Sequence, residues 1–235
     1  VSALAALTVR KHRLISAENP RRMENMRNYG RRNAGKWRAY LLTGCLLTGI
    51  WLTGCASGGG STFPPSQSLI YVDDEGTLYT SLVETYDSVD TSYDVQELRQ
   101  MAEQEAGEYT GVTLFDCTME DGMARVIYQY TDGDALVQFT SGTQDEANQV
   151  NSITAMTGME GLAVQTAQDS VWKDVKKGQE IDREKIMRQN KLRMVSVDGD
   201  AIIQTEGAIC YYSGEVTLVD TNVAEVKGQA YLVYR

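Results

Sequence analysis

Residues Leu192 to Tyr234 read LRMVSV, DGD, AIIQT, EG, AICYY, SG, EVTLV, DTN, VAEV, KGQ, AYLVY. Six short runs rich in Val, Ile, Tyr and Thr are punctuated by Asp198-Gly199, Glu206-Gly207, Ser213-Gly214 and Lys227-Gly228. β-Branched and aromatic residues suit a pleated, half-buried surface, and glycine pairs mark where it turns. The pattern predicts closely spaced antiparallel strands, so residues 191–235 are expected to form an antiparallel β unit.

Working back from there, the chain mixes both periodicities. Residues 68–72 (SLIYV) and 77–86 (TLYTSLVETY) read as strands around a turn at Asp73-Asp-Glu-Gly76. Residues 94–106 place Val95, Leu98, Met101, Ala102 and Ala106 at helical spacing. Asp94 can cap that helix, Glu97 stands three residues on, and Gly107 would stop it. Residues 112–119 and 123–131 flank Asp121-Gly122, a hairpin signal. Ala135–Phe139 fits a short helix or a short strand, 141–170 is polar and irregular with weak helical signal, and 181–190 gives a second helix with Ile181, Ile186 and Met187 inward. The fold class expected is α+β, predominantly antiparallel β with one or two short helices. Its expected parts are an α+β unit (68–143), a helical or irregular connector (144–190) and the β unit (191–235). Asp132–Gln138 (DGDALVQ) closely matches Asp198–Gln204 (DGDAIIQ), which reads as one Asp-Gly turn chemistry used twice.

The 235 residues carry 22 basic and 32 acidic side chains, but unevenly. Residues 1–54 hold ten basic residues against Glu18 and Glu24, whereas residue 55 onward has 12 basic and 30 acidic, a net −18. Such a surface cannot neutralise a phosphate backbone, so no nucleic-acid partner is expected. Met26 to Arg38 is basic, Ala39 to Leu52 is uncharged and mostly apolar, and the run ends at Leu52-Thr53-Gly54-Cys55. Positive, apolar and small-residue segments in that order make a secretory signal.

The Leu-Thr-Gly-Cys ending resembles the lipobox of bacterial lipoprotein signal peptides. In that family the cysteine thiol receives a diacylglyceryl group and signal peptidase II cuts just before it. The resemblance implies cleavage between Gly54 and Cys55 and a lipid on Cys55. A second Leu-Thr-Gly-Cys at 42–45 has only Ala39–Leu42 after Arg38, too short for an apolar core. An uncleaved span from Ala39 to Cys55 would have 17 residues, below the usual twenty. Residues 1–25 then read as an upstream extension, 26–54 as the signal peptide and 55–67, Gly/Ser-rich before Pro64-Pro65, as a flexible tether. By layout the chain is similar to small lipoproteins of Gram-positive anaerobes. That implies a place on the extracytoplasmic face of the cell membrane, with the lipid bilayer as partner through Cys55.

The body offers little chemistry by sequence. Its one histidine, His12, precedes the lipobox, which removes Ser-His-Asp, Cys-His and His-zinc arrangements beyond residue 55. No catalytic residue, metal ligand or cofactor is assigned. Cys117 and Cys210 are read either as a disulfide or as two buried apolar thiols. Asp132/Asp134 and Asp198/Asp200 lack the further ligands of a calcium loop. Eight of the 12 basic residues after 55 lie between Lys173 and Arg193. Lys173, Lys176, Lys177 and Lys185 are candidate contacts for an anionic surface. The competing reading is a solvated linker helix that offsets the surrounding acidity. The function expected is a non-catalytic binding or structural role at the envelope, with an envelope protein or polymer as partner. The alternative is a carboxylate-dependent hydrolase of envelope glycans, which needs two acids flanking a cleft.

Overall fold

The computed structural model describes residues 62–86 and 94–235, which belong to one compact unit. The expectations placed on Gly54 and Cys55 lie outside the described residues. β1 (Leu69–Val72) and β2 (Leu78–Thr85) pair antiparallel around a turn in which Asp73 Oδ1 accepts from the N–H groups of Glu75 and Thr77 at 3.0 and 2.7 Å. Helix α1 (Val95–Gly107) is capped by Asp94, which accepts from the Gln96 N–H, and it buries Leu98, Ala102 and Ala106. β3 (Val112–Glu120) and β4 (Met123–Tyr130) form the hairpin signalled by Asp121-Gly122, both residues standing at positive φ.

The ambiguous stretch at Ala135–Phe139 is helical: α2 runs Gly133–Thr143 and is capped by Asp132. Residues 141–170 are less irregular than their polarity suggested, holding β5 (Ser152–Thr157), α3 (Gly158–Ala163) and α4 (Gln165–Gln168). The basic stretch is not a long linker helix. It forms the short hairpin β6 (Trp172–Asp174) and β7 (Gln179–Ile181), then the five-residue helix α5 (Arg183–Met187). Ile186 is buried as expected, but Ile181 belongs to β7.

The chain ends in β8 (Arg193–Asp198), β9 (Ala201–Thr205), β10 (Ile209–Asp220) and β11 (Val223–Tyr234). Eleven strands join in one sheet, ordered β3-β4-β2-β1-β9-β11-β10-β6-β7, with β8 pairing β11 and β5. All pairs are antiparallel except β1–β9. The molecule is α+β, and its C-terminal part is all strand.

The six C-terminal runs make four strands, because two of the glycine pairs lie inside strands, and a third joins two strands without reversing the chain. Ser213-Gly214 lies inside β10 and Lys227-Gly228 inside β11. Asp198-Gly199 joins β8 to β9, which follow one another along the same side of β11 in one register (Asp198↔Gln229, Ala201↔Val226). Gly199, Gly214 and Gly228 all have positive φ (137°, 97° and 60°), and the β10–β11 register shifts between Ser213 and Glu215. The Gly199 N–H donates to the Gly228 carbonyl at 3.2 Å, and a Cβ on Gly214 would stand 2.4 Å from the Gln229 carbonyl oxygen. These glycines therefore line up across three neighbouring strands as kinks and bulges, where a side chain would be strained or would clash. On one side of this line β9 meets β1; on the other β8 meets β5.

Each half has its own helical cover. Over β2–β4, Phe139 of α2 packs with its ring centroid 5.1 Å from Tyr109, 4.5 Å from Tyr128 and 5.8 Å from Tyr130. Over β8, β10 and β11, helices α3–α5 enclose Leu162, Trp172, Ile186, Met194, Tyr211 and Val233. Each such large apolar side chain, once buried, contributes about 1.5–3 kcal/mol before the cost of ordering it. The Trp172 Nε1–H is satisfied by the Ala167 carbonyl at 3.1 Å. Cys117 and Cys210 are free thiols on β3 and β10, and burial pushes both thiols' pKa upward.

The stretch read as tether is held to the body at its C-terminal end. Thr62 accepts from Gln204 of β9 at 3.2 Å, and Pro65 accepts from Arg125 of β4 at 3.3 Å. Between them Phe63 lies 4.7 Å from the Tyr71 ring and 5.6 Å from the Phe115 ring. Proline and phenylalanine here supply apolar surface as well as stiffness, which composition alone does not separate.

Candidate functional site

A groove of about 700 Å³ opens where the first turn of α3, the α5–β8 loop and the ends of β8 and β11 meet. Its position follows from local chemistry. Thr157 ends β5 and caps α3, exchanging hydrogen bonds with Glu160 in a reciprocal capping box. Gly158 brings α3 close to the start of β8: its N–H donates to the Leu192 carbonyl at 2.7 Å, and a Cβ there would stand 2.7 Å from the Leu192 Cβ. Thr157, Arg193 and Tyr234 then form one rung across β5, β8 and β11. Arg183 fastens the far end of α3 by donating to the Leu162 carbonyl at 2.7 Å.

The groove's apolar lining comes from Met159, Leu162, Ile186, Met187 and Leu192. Leu162 and Ile186 are fully buried, whereas Met159 is 68% exposed, which marks it as a side chain a ligand could cover. The charged lining is Asp74, Lys191, Arg193 and Arg235. Among the described residues, neither Lys191 nor Arg193 has a carboxylate within ion-pair distance. Tyr234 is committed elsewhere, its hydroxyl donating to the Asp73 carbonyl at 2.7 Å. Burial and the acids of the β1–β2 turn push its pKa up, so it stays a neutral donor.

A second groove of about 660 Å³ lies beside the β6–β7 hairpin, lined by Trp172, Val171, Glu180, Asp182, Glu184, Lys185 and Arg188 among others. Of the four candidate lysines only Lys185 lines it. Lys185 pairs with Asp182 at 2.9 Å, an exposed contact that adds little stability. The Lys176 and Lys177 N–H groups both donate to Asp174 Oδ1 at 3.0 Å, which shapes the β6–β7 turn. Lys173 sits 5.7 Å from the centre of the Tyr212 ring. It alternates with Trp172 along β6, and α5 packs on the Trp172 side, so Lys173 and Lys185 occupy opposite faces of the sheet. The four lysines thus do not form one flat patch; they surround the sheet's outer strand, where charge discourages edge-to-edge pairing.

Acid chemistry needs a carboxyl held above its usual range and open to substrate. Burial does raise Asp145, but that residue is 3% exposed and its carboxylate is held by the Asn148 side chain at 2.8 Å. Asp182, which does face a groove, is shifted the other way by Lys185. Among the described residues no group of three or more Cys, His, Asp and Glu is placed to hold a metal ion, and no helix is long and apolar enough to cross a membrane.

The groove residues were not legible as a set in the sequence. Lys191 and Arg193 stood out as members of the basic stretch, but Asp74, Met159 and Tyr234 carry no motif and come from distant segments. No family model, no curated protein and no solved structure matches this chain.

Proposed function

We propose that this chain is an extracytoplasmic lipoprotein, held to the cell membrane by a diacylglyceryl group on Cys55, with a non-catalytic binding role at the envelope. The observation that carries the anchoring is the order of basic segment, apolar segment and Leu-Thr-Gly-Cys between residues 26 and 55. Support for binding rather than hydrolysis comes from the first groove: apolar methionines and leucines beside Lys191 and Arg193, with Asp74 the one acidic side chain in its lining. Such a lining suits a ligand or partner that combines an apolar portion with negative charge, an envelope protein or polymer included. The buried acid whose pKa is raised, Asp145, is sealed from substrate.

Mass spectrometry of the mature N-terminus tests the anchor. A diacylglyceryl Cys55 is the expected result, together with loss of membrane retention in Cys55→Ala. An intact, unmodified residue 26–54 segment on the mature protein would overturn it. Charge reversal of Lys176, Lys177 and Lys185 tests the anionic contact separately: retention or polymer binding should weaken, and unchanged binding would remove these lysines from the interface.

A further inference from the structure

The segment Thr62–Ser68 crosses the face of the sheet opposite α1 and α2. Tyr79 is in register with Gln129 of β4, which is in register with Thr113 of β3, so these three side chains share a face. Tyr128, the neighbour of Gln129, points the other way and packs on Phe139 and Glu105. Phe63 stacks on the first face, 5.5 Å from the Tyr79 ring, and exposed Phe115 completes the cluster. The segment is fastened at both ends: by the Gln204 and Arg125 side chains, and by Ser68, whose Oγ accepts from the Val83 N–H at 2.9 Å. Within the segment, Pro65 is buried.

We infer that this face, carrying Thr113, Tyr79, Phe115 and the docked Phe63, is the membrane-proximal face of the body. The inference rests on the Cys55 anchor proposed above. If residues 55–67 were free, the anchor would connect to the body at Ser68, thirteen residues on, a reach of up to about 45 Å. Docking at Thr62 leaves seven residues, at most about 25 Å when fully extended. The body is therefore held short and by one face. Its acidity opposes adhesion to anionic headgroups, so the leash and not surface attraction sets the position. Helices α1 and α2, on the opposite face of the sheet, are carried outward, with Gln104 exposed on α1. Both the docked face and the outward helices follow from contacts that Phe63, Pro65 and Arg125 make.

Energy transfer to an acceptor lipid tests this with the acylated protein in vesicles. A donor dye is placed on Thr113→Cys or on Gln104→Cys, each in a Cys210→Ser background. Transfer from position 113 should exceed that from 104. Inserting ten Gly/Ser residues between Gly60 and Ser61 lengthens the leash without touching the body, and should abolish the difference; Phe63→Gly with Pro64→Gly and Pro65→Gly should do the same. Equal transfer from both positions in the parent protein overturns the inference, as does a difference that survives the insertion. Mass spectrometry of the same sample separates the two failures: unmodified Cys55 with no vesicle binding refutes the anchor, whereas acylated Cys55 with equal transfer refutes only the orientation.

Discussion

Asp132–Gln138 and Asp198–Gln204 differ at two of seven positions, Leu136/Ile202 and Val137/Ile203, yet they build unrelated structures. In the first copy Asp132 is extended and its side chain accepts from the Ala135 N–H at 2.9 Å, starting α2. In the second, Asp198 ends β8, Gly199 kinks at φ +137°, and the chain continues as β9. Asp200 reaches across the sheet and accepts from the Gly228 N–H at 3.1 Å. The residues on the C-terminal side of each copy separate them. Phe139, Thr140 and Thr143 come after the first; Phe139 inserts among three tyrosines, and the two hydroxyls bond back to the carbonyls of Leu136 and Phe139. After the second, Glu206-Gly207 arrives within three residues, and β1 and β11 offer backbone partners on both sides. Two Asp-Gly pairs read as one turn chemistry are a helix cap and a strand kink. Short sequences of this kind carry little conformational preference; the partners decide.

Both glycines also abut the same stretch of chain, and substitutions there should separate the two copies most strongly. A Cβ on Gly133 would stand 1.8 Å from the Ile153 carbonyl oxygen, which is backbone held in β5. Gly133→Ala should therefore cost about 3 kcal/mol or more, read as a lower urea midpoint. Gly199→Ala meets the Val150 Cα at 2.9 Å and must adopt positive φ, so about 2 kcal/mol is expected in the same assay. The double change Leu136→Ile with Val137→Ile makes the two heptapeptides identical. It should cost only about 1 kcal/mol and leave the far-UV circular dichroism helical; conversion of helical signal to strand would show that the heptapeptide, not its surroundings, chooses the state. Asp132→Ala removes the helix cap and should cost about 1 kcal/mol. Asp200→Ala, at an exposed cross-strand contact, should cost least, about 0.5 kcal/mol. A larger loss for Asp200 than for Asp132 would invert the roles given to the two acids.

Where local chemistry settles the conformation, the sequence is readable. Asp94 and the spacing of Leu98, Ala102 and Ala106 mark α1; Asp121-Gly122 between alternating apolar runs marks the β3–β4 hairpin. The C-terminal strands are also visible, but not their number. As sequence, Gly199, Gly214 and Gly228 look like turn residues, since positive φ serves turns and bulges equally. Only their alignment across β8–β9, β11 and β10 distinguishes a bend in the sheet from three turns.

The candidate groove is still less legible. It is assembled from Asp74, the Thr157–Leu162 segment, the Ile186–Arg193 segment and Tyr234, and each contributes a fragment with no signature of its own. The docking of Phe63 and Pro65 is hidden for a related reason, because a Pro-rich stretch looks like a spacer until a complementary face lies beneath it.

Sequence alone therefore set the α+β class, the capped helix, the tight hairpin, the acidic character of everything after residue 55 and the signal-like order before it. These depend on neighbours within a few residues, where backbone sterics and capping hydrogen bonds act. Packing of the whole chain settled which Asp-Gly begins a helix, which glycines bend the sheet, where the groove opens and how Phe63 and Pro65 dock. Those outcomes depend on burial and on backbone hydrogen bonds to strands far away in the chain, and these exist only once the sheet has closed around them.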